Sequence, residues 1–191
     1  MKYSLFITAA AALTLSACNN TAEDTTADTT ASDSAMTEPA TVNPDATPDA
    51  ATPTTAQAFV DMASASDMYE VEAGKLAKQM GKSQAVKDFG AMMVTDHTKS
   101  TTELKTAAGK ADGVTVNPKL TAKQQSDLDA LKNAGDNFDA TYKQQQVAAH
   151  EMALSMLQGY AQSGDNADLK AFASKTAPVV EGHLTKARNL P

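Results

Sequence analysis

Apolar positions recur at three- and four-residue spacing in four long stretches of the chain, and no stretch alternates in the way a strand would. In the first stretch Phe59, Met62, Ser66, Tyr69, Ala73, Leu76, Ala77 and Met80 share one face, which predicts a helix from about Thr55 to Met80, closed by Gly81. The second is expected to start at a Ser83 cap and run to about Lys110, with Val86, Phe89, Met93, His97, Leu104 and Ala108 along its core line. Gly109, Gly113 and Pro118 interrupt the pattern. Thr121 and Gln124 then have the spacing of a capping box, which predicts a short helix to about Asn133. A third long helix, with Asp136 as its expected cap, reaches Ser163 and turns Phe138, Tyr142, Ala149, Ala153, Leu157 and Tyr160 inward. Gly164 closes it, and Asp165 is the expected cap of a last helix along Leu169, Phe172, Thr176, Val179, His183 and Ala187, which Pro178 should kink. The prediction is an all-α protein: a four-helix bundle whose long crossover contains a short helix. Inward alanines imply closely approaching helices.

All three histidines lie in these helices, and each has a valine three residues earlier: Val94/His97, Val147/His150 and Val180/His183. Positions i and i+3 share a helix face, so a buried valine draws its histidine inward. His97 falls on the core line itself and His150 toward one edge, in line with Asp139. Glu70 falls on the edge of the apolar face of the first helix, whereas Glu72 points further outward, so Glu70 is the better candidate for an inward carboxylate; the alternative is that both are solvated.

The chain begins differently. Leu5 to Leu15 is apolar, uncharged and too short for a stable membrane helix, as expected of an export signal over residues 1–17. It ends in Leu15-Ser16-Ala17-Cys18, which resembles the lipobox of bacterial lipoproteins, where the cysteine is lipidated and becomes the first residue. Cys18 is the only cysteine, so neither an intrachain disulfide nor a site built from several thiolates is available. Asn19 after it points to the outer membrane under enteric-type sorting. Residues 18–57 are rich in Thr, Ala, Asp and Pro, hold seven acids and no Lys or Arg, and read as a disordered tether. Such a coil would let a domain range on the order of 35 Å from its anchor. With Lys2 in the signal and seven acids in the tether, the whole-chain charge of −7 leaves −1 for residues 58–191, the expected bundle domain. A nearly neutral domain gives no electrostatic case for nucleic acid. The partners expected are a membrane, through the lipid on Cys18, and an unidentified protein.

The helical residues also resemble the bacterial domain of unknown function 4142 family of the cell envelope. The pieces that carry the resemblance are Glu70-Val71-Glu72 with Gly74-Lys75-Leu76-Ala77, Met93 to His97, Phe138-Asp139 with Tyr142, Val147 and His150-Glu151, and Pro178 with His183-Leu184. Gln146-Val147 departs from a usual Met-Val, and Gly182 stands where a glutamate is usual, so a carboxylate beside His183 would have to come from Glu181. The resemblance implies a ferritin-like bundle and no defined reaction. Di-iron proteins of the wider group use Glu-x-x-His pairs; this chain has Val-x-x-His, so a standard di-iron carboxylate centre is not expected.

If the crossover makes the second and third long helices parallel, as in ferritin-like folds, then Glu70, His97, His150 and His183 fall within about five residues of one height, or roughly 7 to 8 Å at the helical rise. One metal site on those four residues, for zinc, copper, iron or nickel, is then possible. Two other readings stand beside it: histidines hydrogen-bonded in the core that fix helix register, and a pH-responsive switch. Met62, Met80, Met92, Met93, Met152 and Met156 read as adaptable core filler, with a soft copper site or oxidation sensing as alternatives. No nucleophile motif, phosphate-binding loop or catalytic carboxylate pair stands out. The leading functional expectation is a non-catalytic, lipid-anchored envelope module for stress tolerance or surface assembly; the alternative is a ferritin-like metalloprotein with a redox or metal-handling role.

Overall fold

The computed structural model describes residues 52–191; the expected signal, the lipidation site at Cys18 and nearly all of the expected tether lie outside them. Five helices follow in order: α1 (Ala56–Met80), α2 (Gln84–Ala108), α3 (Ala122–Asn133), α4 (Phe138–Ser163) and α5 (Ala167–Arg188), with no strand among the described residues. None is long and apolar enough to cross a membrane.

Most boundaries follow from the expected capping chemistry. Thr55 accepts from the Ala58 N–H and Ser83 from the Val86 N–H, each satisfying a donor that the first turn leaves free. Thr121 and Gln124 form the full capping box. Two expected caps are corrected. Asp136 lies in a 3-10 turn, Gly135–Asn137, and α4 starts at Phe138 without a side-chain cap, because Gly135 adopts a left-handed φ of 54° that redirects the chain first. It is Asn166, one residue after Asp165, that caps α5 by accepting from the Leu169 N–H at 3.1 Å. Asp139, in the first turn of α4, accepts from the backbone N–H groups of Lys82 and Ser83, both at 2.8 Å. It thereby ties the start of α4 to the start of α2.

Helices α1 and α2 form one antiparallel hairpin and α4 and α5 another, and the two pack into a four-helix bundle. The α1/α2 hairpin is close: a Cβ on Gly90 would lie 2.8 Å from the Gly74 carbonyl oxygen and 2.6 Å from the Ala77 Cβ. On the α4 side, Phe59 stacks on Tyr160 and the Tyr69 hydroxyl donates to Gln145, so α4 runs antiparallel to α1 and parallel to α2. The crossover thus does what its length predicts. Helix α5 runs through Pro178, which lies on the exposed side.

Two apolar clusters fill the bundle, one around Phe59, Leu104, Tyr160, Leu169 and Phe172, the other around Phe89, Met93, Leu131, Phe138 and Tyr142. Between them lies a polar layer. The expected inward line of α5 is corrected at Val179, which is 49% exposed, while Val180 is buried. The core face of α5 runs instead through Leu169, Phe172, Ala173, Val180, His183 and Leu184.

Candidate metal centre

Three helices carry one histidine each into the polar layer: His97 from α2, His150 from α4 and His183 from α5. All are buried, and so is Glu70 on α1. His150 is 1% exposed, so its expected place at the edge of the core face is corrected to the centre. The ring centroids lie 5.6 to 5.8 Å apart in all three pairings. One nitrogen from each ring lies within 4.8 Å of one from both others.

The hydrogen bonds fix which nitrogen carries the proton on each ring. His97 Nδ1 donates to Asp67 Oδ1 at 2.8 Å, His150 Nδ1 to the Gln146 carbonyl at 2.8 Å, and His183 Nε2 to Asp96 Oδ2 at 2.9 Å. These partners accept only, so in the neutral rings His97 Nε2, His150 Nε2 and His183 Nδ1 are bare lone pairs. All three are buried and bonded to no protein donor, and so is Glu70 Oε2. The other carboxylate oxygen of Glu70 lies 3.8 Å from His150 Nδ1.

Leaving such groups unsatisfied costs about 1 to 3 kcal/mol each, so the arrangement calls for an electron-pair acceptor. A metal fits the donors. An imidazole held by a hydrogen bond from its far nitrogen to a carboxylate or carbonyl is the usual disposition of a metal-ligating histidine. An ion bound at about 2.0 Å to each nitrogen would need them about 3.4 Å apart, closer than the 4.8 Å limit within which one nitrogen of each ring lies.

Electrostatics leave two of the rings free of a competing proton. Burial, with the neighbouring His97, pushes His150 down to about 4. Burial also pushes His183 down to about 4, against the pull of Asp96. His97 moves the other way: burial lowers it, but the Asp67 hydrogen bond and nearby Glu70 outweigh that and raise it. Burial lifts Glu70 to about 7, with His97 and His183 opposing. A cavity of about 40 Å3, lined by Asp67, Asp96, His97, Met156 and His183, adjoins the cluster.

Of the four residues that the sequence suggests, the three histidines lie together, and Glu70 is buried beside His150 on the side of its Nδ1. Asp67 and Asp96, which orient two of the rings, were not picked out. The signals were there: Asp67 is three residues before Glu70 on the same face, and Asp96 adjoins His97. The carboxylate beside His183 was expected from Glu181, which is exposed; it comes from Asp96 on α2 because α2 and α5 pack side by side. Glu72 points outward as expected and pairs with Lys75 at 2.7 Å.

Among solved structures the fold is similar to CopM in its Cu(I)-bound form, at 19% identity with a TM-score of 0.60 over 70% of this chain and 92% of that one. It is similar also to CopM in the Cu(II)-bound form, at 18% identity and TM-score 0.61 over 71% and 94%, and to the Ag-bound form, at 17% and 0.59 over 71% and 93%. At such identities the likeness speaks for the helical fold alone. No curated protein sequence matches the chain. The family model of domain of unknown function 4142 (DUF4142) matches residues 40–190, most of the chain, and the protein belongs to that family.

Proposed function

We propose that this protein is an exported helical bundle that holds one transition-metal ion on His97, His150 and His183, with Glu70 as a fourth donor. The observation that carries it is the cluster of three buried histidines, with one nitrogen of each ring within 4.8 Å of the others, and with one nitrogen of each tied to an acceptor while the other has no protein partner. Imidazole with one carboxylate suits copper, zinc, iron or nickel, and copper heads the divalent affinity order. The similarity to CopM, solved with Cu(I), Ag and Cu(II), supports copper as the first ion to test. A bound cation would favour the ionised form of Glu70, whose carboxyl burial otherwise lifts to about 7, and Asp67 and Asp96 hold two rings in the ligating tautomer. The ion would be enclosed by the bundle, an arrangement for holding or handling metal more than for turning over a large substrate. If the bundle served partners only through its outer face and the histidines merely fixed register, removing metal would leave the stability of the protein unchanged.

One equivalent of Cu(II) added to the protein should give an electron paramagnetic resonance signal with splittings from coordinated imidazole nitrogen, and His150→Ala should lose it. A wild-type signal without nitrogen coupling would contradict the assignment. Placement in the envelope rests on the apolar segment before Cys18 and on the lipobox-like Leu15-Ser16-Ala17-Cys18. Cys18→Ser should move the protein from the membrane to the soluble fraction; unchanged fractionation would rule out the lipid anchor.

A further inference from the structure

A second cavity, of about 170 Å3, opens between α1, α3 and α4. Three of its lining residues are thioethers: Met62 from α1, and Met152 and Met156 from α4. The last two are four residues apart and so lie on one helix face. Because α1 and α4 are antiparallel, with Phe59 against Tyr160 and Tyr69 against Gln145, Met62 comes level with this pair. Met152 is 48% exposed, so burial of apolar surface does not account for it. Met156 is buried and lines both this groove and the smaller cavity beside His97 and His183, as does Ser66. The two cavities are back to back, with Met156 in their shared wall. At the rim, Lys123 is paired with Asp127 at 2.7 Å, so the groove presents no unpaired cation from that lysine to repel another.

We propose that Met62, Met152 and Met156 form a second metal site, for a soft monovalent cation such as Cu(I) or Ag(I), at the outer end of a path that leads past Met156 to the histidines. Thioether sulfur is uncharged and polarisable and selects Cu(I) over harder ions. It also carries no proton in the physiological range, so capture there is independent of pH. Leucines would fill such a groove about as well; sulfur adds a donor. The methionine site stands on its own, and only its connection to the inner centre rests on the proposed histidine site.

The test uses the protein labelled with [13C-methyl]methionine and titrated with silver nitrate in chloride-free, thiol-free buffer. The methyl resonances of Met62, Met152 and Met156 should shift together as the first equivalents are added, while those of Met80 and Met92 stay in place. The volume-conserving variant M62L/M152L/M156L should lose one bound Ag(I) per chain by calorimetry. It should keep the Cu(II) spectrum of the histidine site, which shows that it is folded. Silver stoichiometry unchanged in the variant, or shifts centred on Met92, would overturn the assignment. Loss of the Cu(II) signal in the wild type with the methyl shifts intact would instead count against the histidine centre alone.

Discussion

Asp67 is the residue on which the orientation of His97 depends: its carboxylate takes the Nδ1 proton at 2.8 Å and accepts from the Thr101 hydroxyl at 3.3 Å. Asp67→Asn would keep the volume and remove the anion that fixes the ligating tautomer. Losses of about 10 to 100-fold in metal affinity are typical when such a partner is removed, and a loss of that size is expected here by competition against a chromophoric chelator. Unchanged affinity would show that Asp67 serves packing only. The three clustered histidines are legible in the sequence because histidines at a repeated offset from valine stand out in a chain with so few of them. Asp67 and Asp96 are not, because an aspartate beside the core line reads as a solvated residue until the facing helix is in place. Gln146, whose carbonyl holds His150, acts through its backbone, and side-chain chemistry cannot signal that.

Among the elements, the helix ends repay closest attention. Ser83 and Thr121 are readable as caps because each acts within its own first turn, while Thr55, where the apolar pattern starts the first helix, turns out to cap it. Asp136 was not dismissible from sequence, since the left-handed Gly135 decides where α4 begins. Asp139 acts across elements. Burial opposes its ionisation, but the N–H groups of Lys82 and Ser83 outweigh it and hold the carboxyl below its ordinary value. A carboxyl depressed in the folded state stabilises fully above its unfolded value of about 3.9 and loses that contribution as pH falls through the folded one. Asp139→Asn should therefore cost about 1 kcal/mol at pH 7, a typical value for losing a capping interaction. In chemical denaturation the gap to the wild type should narrow as pH falls below 4. A gap independent of pH would mean that shape, and not charge, makes the contribution.

At the scale of the whole molecule, the bundle brings Glu70, His97, His150 and His183 to one level only because the crossover sets α2 and α4 parallel. That follows from its length together with the ferritin-like resemblance, while the pairing of Asp96 with His183 depends on which hairpin edges meet. Residues just before 58 already join the packing: the Thr54 carbonyl accepts from the Asp165 N–H, and Thr55 caps α1. The central claim is that a metal ion satisfies the histidine centre, and the most direct test is thermal unfolding of the wild type and of His150→Ala, each with Cu(II) and then with excess chelator. A ligand that binds only the folded state at about 100 times its dissociation constant stabilises by about 2.7 kcal/mol. For a domain of this size that corresponds to a rise in Tm of roughly 5 to 15 °C. The account predicts this rise in the wild type, its reversal by chelator, and its absence in His150→Ala; equal melting of the wild type with metal and with chelator would contradict it.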